Sequence, residues 1–285
     1  MVVPGRILLV CLVLLATDAT GAPAEDSGHT IHWMLTGVPP KLMPDGPFRG
    51  TGYGEQQVAF LTRRLPQFDH HLESVTPARL WHEMRNGQGV CSIDIADVPE
   101  REEWAIFTRH RTSIPGYRVL VLRERLAEFA EFRDAAGRID LGRLAASDRL
   151  SGLYVAGRHY MSQIIDFIDN PVRKSRVEAM SASTKIFEMI AGRRGDYSFA
   201  AVTEMNYFNA LSAAAATGGK IWPPLTTLAI KGGDEQVHGH IACSRGALGK
   251  QVVEAIDRVL DDDDAWAEFL APERRWLADI PVAGR

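Results

Sequence analysis

Three cysteines in 285 residues are too few for a disulfide-dense scaffold. No basic run and no RNA-binding aromatic motif occurs. The formal net charge of -4 and a pI near 6.1 offer nothing to a polyanion, so nucleic acid is excluded as a partner. There is no Gly-x-Ser-x-Gly elbow and no Cys/His pair that suggests a nucleophile. The glycine-rich "GTGYG" (residues 50–54) lacks the Gly-Lys-Ser/Thr that a phosphate loop requires. Internal repeats and low-complexity segments are missing as well. What remains is ordinary globular composition, 46% hydrophobic and 24% charged, in a chain long enough for two lobes or one large domain.

Long hydrophobic runs are also lacking. The apolar stretch at residues 7–16 is too short to cross a bilayer. It follows Arg6 and precedes small, turn-prone residues. That pattern reads as a secretory signal peptide over residues 1–22, cut after Ala22 or after Ala19, and predicts an exported, periplasmic protein. The alternative is an anchored N-terminal helix. Cys11 is preceded by Val10 where a lipoprotein signal needs a small residue, which argues against a lipid anchor. Removal of the signal leaves Cys91 and Cys243, either as a disulfide or as two buried thiols.

Along the rest of the chain, strand-like runs alternate with helical ones. "TIHWMLTG", "HHLESVTP", "GVCSIDIA", "YRVLVLRE", "LYVAG", "YSFAAV", "LTTLAIKGG" and "VHGHIACS" read as strands. "EQQVAFLTRRLP", "ARLWHEMRNG", "RHYMSQIIDFIDN", "STKIFEMIAGRRG" and the C-terminal pair around the acids 261–264 read as helices, the third opening directly behind Gly157. The expected class is α/β with mostly parallel sheets and a ligand site at the carboxyl ends of strands. The acids 261–264 read as a solvated helix junction. His238 and His240 share a strand face without an obvious third ligand, so no metal and no cofactor is expected.

Four stretches carry a resemblance. They are "IHWMLTGVPP", "FRGTGYGEQQVAFLTRRLP" with Glu55 at an acidic position, "GVCSIDIADVPEREEWAIFTRHRTSIPGYRVLV", and "LYVAGRHYMSQIID" followed by "MIAGRRGDYSFAAV". In this order they resemble the periplasmic solute-binding proteins of family 3, receptors of amino-acid ABC transporters with the type II fold, and most closely a poorly characterised exported subfamily. The resemblance covers residues 31–276. It implies an α/β fold of two lobes around a central cleft, joined by a hinge of two crossing segments. Lobe one would hold residues 30–117 and 237–285, and lobe two residues 118–236. Cys91 and Cys243 would then lie on neighbouring strands of lobe one, which favours the disulfide.

The resemblance also assigns a site. Arg101 stands where family members hold the ligand's carboxylate, and a guanidinium fork suits that task. Its acidic neighbours also permit a plain surface ion-pair cluster. Gly157, Arg158 and His159 would form a second anion site at a helix start, or a surface loop pair. Val98, Val38 and Ala201 stand where the family carries a threonine, a stacking aromatic and the acid for the ligand's ammonium. Glu204 is the nearest acid to that last position, and Asp94 could substitute for it or pair with Arg101. The expected function is capture of an amino acid or other small carboxylate for an ABC-type permease, by a monomer without catalytic residues. The alternatives are a ligand-sensing partner of a membrane signalling receptor, or a dehydratase-like cleft enzyme using Glu204, Asp94 and His159.

Overall fold

The computed structural model describes residues 29–215, 222–233 and 236–277. The predicted signal peptide lies outside the described residues. Among those described, no helix is long and apolar enough to cross a membrane.

The chain opens with β1 (Thr30–Thr36), α1 (Tyr53–Arg64), β2 (Asp69–Val75), α2 (Pro77–Asn86), β3 (Val90–Ile95), the short α3 (Pro99–Glu102) and β4 (Ala105–Pro115). It crosses to β5 (Arg118–Leu122), a 3-10 helix (Arg123–Phe132), α4 (Leu141–Ala145), β6 (Gly152–Val155), α5 (Ser162–Asp169), β7 (Val177–Met180), α6 (Ser183–Ala191), β8 (Tyr197–Ala200), α7 (Val202–Ala214) and β9 (Leu225–Leu228). It returns through β10 (Gln236–Ser244) and closes with α8 (Ala247–Leu260) and α9 (Asp263–Leu277). One sheet has the order β2-β1-β3-β10-β4 and the other β7-β6-β8-β5-β9. The chain therefore crosses between the sheets after β4 and again after β9.

The sheets are mixed, not mostly parallel. β1 runs parallel to β2 and β3, and β6 to β7 and β8, but β10 and β5 are antiparallel to both of their neighbours. The two crossings cause this, since each delivers a strand to its sheet from the opposite direction. Two strands have no counterpart in the sequence reading. β4 is an edge strand whose exposed Arg109 and Arg111 break any apolar run, and the four residues of β7 are too few to carry a pattern.

Alternation along each strand feeds both faces of its sheet. Ile31, Trp33 and Leu35 pack with Val58 and Leu61 of α1 and Val252 and Ile256 of α8. Met34 and Ile95 face Leu80 and Met84 of α2. In the second sheet Val119 and Phe199 meet Ile164 and Phe167 of α5, while Leu120 and Leu153 meet Ile186 and Phe187 of α6. α9 touches both halves. It packs on α1 and α8, and also on α7. Trp276 joins an aromatic cluster with Phe48 and Tyr207, its rings 5.8 and 5.9 Å from theirs, and its carbonyl accepts the Asn206 amide at 2.8 Å.

Cys91 and Cys243 face each other across β3 and β10 and are joined by a disulfide. The bridge closes a separation of 152 residues and so ties the strand entering by the second crossing to the N-terminal half of its sheet. Replacing both cysteines with alanine should cost about 2–5 kcal/mol, read as a lowered urea midpoint. An unchanged midpoint would show that the bridge adds nothing to stability.

Candidate functional site

A cavity of about 240 Å³ lies between the two sheets, lined from the carboxyl ends of β1, β3, β6 and β8. That is where an α/β sheet presents its loops to a ligand. The volume falls below the range typical of drug-sized sites and suits a small metabolite. Arg101, Asp94, Gly157, Arg158, His159 and Glu204 all line it, together with Lys41, Tyr53, Trp81, Tyr117 and Glu273.

The loop after β1 is folded onto the start of α1. Pro40 and Lys41 carbonyls accept the N–H groups of Tyr53 and Gly54, each at 3.0 Å, and Glu55 Oε2 accepts those of Gly52 and Met43 at 2.9 and 3.1 Å. These contacts satisfy donors that a helix start leaves unpaired. A Cβ on Gly52 would stand 2.4 Å from the Lys41 carbonyl oxygen, and one on Gly54 2.8 Å from the Lys41 side chain. The glycines of "GTGYG" thus permit close packing, and Lys41 is held against the cavity.

Arg101 lies in the short α3 and half-emerges from the wall. Its Nη1 donates to the Ala96 carbonyl at 2.9 Å, and its guanidinium lies 4.4 Å from the Trp81 ring centroid. Among the described residues it has no ion-pair partner, although Glu100 is close enough to act on it electrostatically. Burial lowers its pKa from the usual arginine value. The surface ion-pair reading is therefore not what the geometry gives. The guanidinium is oriented by an aromatic plane and one carbonyl, and its other N–H groups have no described acceptor.

Arg158 is in the opposite condition. Its two Nη atoms each reach one oxygen of Glu204 at 2.9 Å, and the two side chains are 11% and 5% exposed. Burial, the largest influence, lowers the Arg158 pKa, but Glu204, Tyr117 and Tyr160 together raise it overall. Glu204 Oε2 also accepts the Ala201 N–H at 3.1 Å, capping α7. The pair places both expected residues on the cavity wall already engaged, since Glu204 has a cation and Arg158 has a carboxylate. The helix start expected behind Gly157 is displaced, because α5 begins at Ser162 and residues 156–161 form a turn followed by irregular chain. Gly157 has φ +72°, a left-handed turn conformation that suits glycine. His159 is exposed at the cavity rim.

Asp94, next to last in β3, has φ +55°, unusual for a residue with a side chain. Its Oδ2 accepts the Tyr53 hydroxyl at 2.6 Å, and Oδ1 accepts the Thr112 hydroxyl at 3.3 Å. It does not pair with Arg101. Gly239 of β10 lets the strands approach here, since a Cβ on it would stand 2.8 Å from the Asp94 Cα. Burial, reinforced by Asp94, raises the Tyr53 pKa well above normal. Burial lowers the Lys41 pKa more than Asp94 raises it. Burial and then Asp94 push the Glu273 carboxyl up to about 8.

Lys41, Tyr53, Trp81 and Glu273 are absent from the sequence-based site. Lys41 could have been flagged, because it follows Pro39 and Pro40 in the loop at the carboxyl end of β1. Nothing local separates Glu273 from the charged residues around it. His238 and His240 each have a separate partner. His238 Nδ1 meets the Ser113 hydroxyl at 2.7 Å, and His240 Nδ1 meets the Thr108 carbonyl at 2.8 Å. No group of three or more metal-ligating side chains occurs among the described residues.

No family model matches the chain, and no curated protein matches it in sequence. Solved structures do match in fold. A mutant of ArgBP from T. maritima superposes with a TM-score of 0.62 at 15% identity, over 88% of this chain and 96% of that one. AbpA, an amino acid ABC transporter substrate-binding protein from Streptococcus pneumoniae bound to L-arginine, gives 0.62 at 11% identity, over 88% and 95%. The periplasmic VFT2 domain of BvgS from Bordetella pertussis gives 0.58 at 15% identity, over 87% and 94%.

Two outcomes follow from this geometry. Glu204→Gln leaves Arg158 buried without its counter-charge and should cost about 3–5 kcal/mol in denaturant unfolding. An apolar replacement of both partners should recover much of that loss, and no loss in the single variant would show that the pair is not a buried one. Glu273 supplies a pH effect. Its folded-state pKa is raised, so its contribution to stability is complete below about pH 4 and lost as pH rises through about 8. The unfolding midpoint of the wild type should fall across that window, and Glu273→Gln should flatten the fall. Identical slopes would contradict the assignment.

These similarities place the chain in the two-lobed type II periplasmic-binding fold, with its cavity between the lobes.

Proposed function

We propose that the chain is an exported binding protein for a small polar solute bearing a carboxylate, which it captures in the periplasm for an ABC-type permease. The observation that carries this reading is Arg101. It faces the cavity without a carboxylate among the described residues, while Arg158 in the same cavity is fully engaged by Glu204. A cation held in place but not neutralised is ready to grip a carboxylate bidentately. The cavity volume supports a solute of metabolite size. The two chain crossings support lobe closure as the means of enclosing it, with the lobes divided near residue 117 and again near residue 237.

Export rests on the signal peptide read in the sequence. Hand-over to a transporter is supported by the fold shared with AbpA. The fold shared with the BvgS domain supports a second destination, a membrane signalling receptor.

Thermal unfolding of the mature protein against mono- and dicarboxylates, amino acids and sugar acids tests the binding claim. A solute at about a hundredfold over its Kd adds roughly 2.7 kcal/mol and raises Tm by several degrees. The shift should vanish in Arg101→Ala while the unliganded Tm stays close to wild type. Undiminished binding in that variant would remove Arg101 from the site.

A further inference from the structure

Glu273 is the group in this cavity that neither the fold nor the carboxylate contact employs. The residue is 4% exposed, it lines the cavity, and among the described residues its carboxyl has no hydrogen-bond or ion-pair partner. A buried polar side chain normally has one. α9 carries it there, beyond Pro272 inside the same helix.

The groups facing it come from several elements. Asp94 of β3 acts on it most strongly among the charges, followed by Arg274 of α9 itself. Tyr53 of α1 senses both Asp94 and Glu273 and donates its hydroxyl to Asp94. Glu204 of α7 lines the same cavity but is held by Arg158. α8, also packed on α9, lends no lining residue, and its Asp257 is engaged by Arg109 and His110. Lys41 is a second unmatched group. Its side chain lines the cavity near Asp94, and its amine has no hydrogen-bond acceptor among the described residues.

A buried carboxyl next to a carboxylate can do one of two things for a ligand. It can ionise to take a ligand cation, or stay neutral and donate its proton to a ligand oxyanion. The surrounding groups decide between them. Arg158 is already paired with Glu204, which leaves Lys41 and Asp94 as the charges beside Glu273. A ligand ammonium would enter beside Lys41 and compete with it for Asp94, whereas an oxyanion would meet the lysine amine and a carboxyl O–H. Arg101 belongs to a different end of the cavity. Its electrostatic neighbours are Glu100 and Arg85, and those of Lys41 are Asp94, Arg158 and Glu204.

We propose that Lys41 and the neutral carboxyl of Glu273 form a second anion subsite, so that the solute is a dicarboxylate or carries a comparable second oxyanion. The proposal rests on the carboxylate reading of Arg101. The solute binds ionised at both ends, Glu273 keeps its proton and shares it in a hydrogen bond, and no bond is made or broken. A carboxyl pushed up to about 8 is protonated at neutral pH, as this requires. Raising the pH removes that proton and sets two anions side by side.

Titration calorimetry of the mature chain tests this, with succinate and glutarate as probes, propionate as the single carboxylate and 4-aminobutyrate as the amine-bearing comparison. Wild type, Glu273→Gln and Lys41→Met are compared at about pH 6.5 and about pH 8.5, the upper value kept low because burial also lowers the Lys41 pKa. A dicarboxylate should bind at least about tenfold tighter than propionate at the lower pH, and its affinity should fall roughly fourfold at the higher one as Glu273 ionises. Glu273→Gln keeps a neutral donor at every pH, so it should retain the affinity and lose most of the fall. Lys41→Met should lose about tenfold for dicarboxylates and little for propionate. Dicarboxylates binding no tighter than propionate, or 4-aminobutyrate binding tightest with affinity rising with pH, would overturn the proposal. If propionate still binds through Arg101 in that case, the carboxylate reading stands and the second subsite alone fails. If no probe binds the wild type, both fail.

Discussion

A guanidinium taken out of water needs acceptors, and this cavity holds two that meet the need differently. Arg158 is clamped by both oxygens of Glu204, and the same carboxylate caps α7. The pair ties the turn after β6 to the start of the helix after β8 and neutralises both charges on that wall. Arg101 has one carbonyl and the face of Trp81. Mutual neutralisation on one wall and an unsatisfied fork on the other give the cleft its polarity. On the proposed reading, a ligand is drawn to the side where a charge is still unmet.

The remaining charges follow from burial. Asp94 sits near the end of β3 in a left-handed conformation that two structural features make room for: the absent side chain of Gly239, and the hydroxyls of Tyr53 and Thr112. Backbone strain of this kind tends to collect at functional sites. Asp94 is the common neighbour of Lys41, Tyr53 and Glu273, and it shifts all three beyond what burial alone would do or against it. α9 completes the arrangement. It is the last of the described helices, yet it brings Glu273 into the cavity and anchors Trp276 against α7, so it contacts elements of both sheets' layers.

Much of this was legible in the sequence, and the failures have physical causes. Alternation of strand and helix, and apolar strand interiors such as "GVCSIDIA", predicted the α/β class because buried strands must be apolar on both faces, and the division into two lobes came from the resemblance. Pairing of Cys91 with Cys243 came from the resemblance, and the strand register provides for it. Strand direction was misjudged, since periodicity carries no information on orientation. Arg101 was singled out by its place between a strand end and an apolar run, and the resemblance then gave it a carboxylate role. Arg158 and Glu204 were found as residues but not as partners, being 46 positions apart. Glu273 was missed because its role depends on where a helix lands, and its neighbours Arg274 and Arg275 give the stretch the look of a solvated face.

The account turns on where a carboxylate sits in this cavity. A crystal structure of the mature protein grown with a solute that raises its Tm locates that group directly. The account predicts both carboxylate oxygens on the Arg101 guanidinium beside the Trp81 ring, with the Arg158–Glu204 pair intact. A carboxylate held by Arg158 instead, with Glu204 displaced and Arg101 turned to solvent, would contradict it.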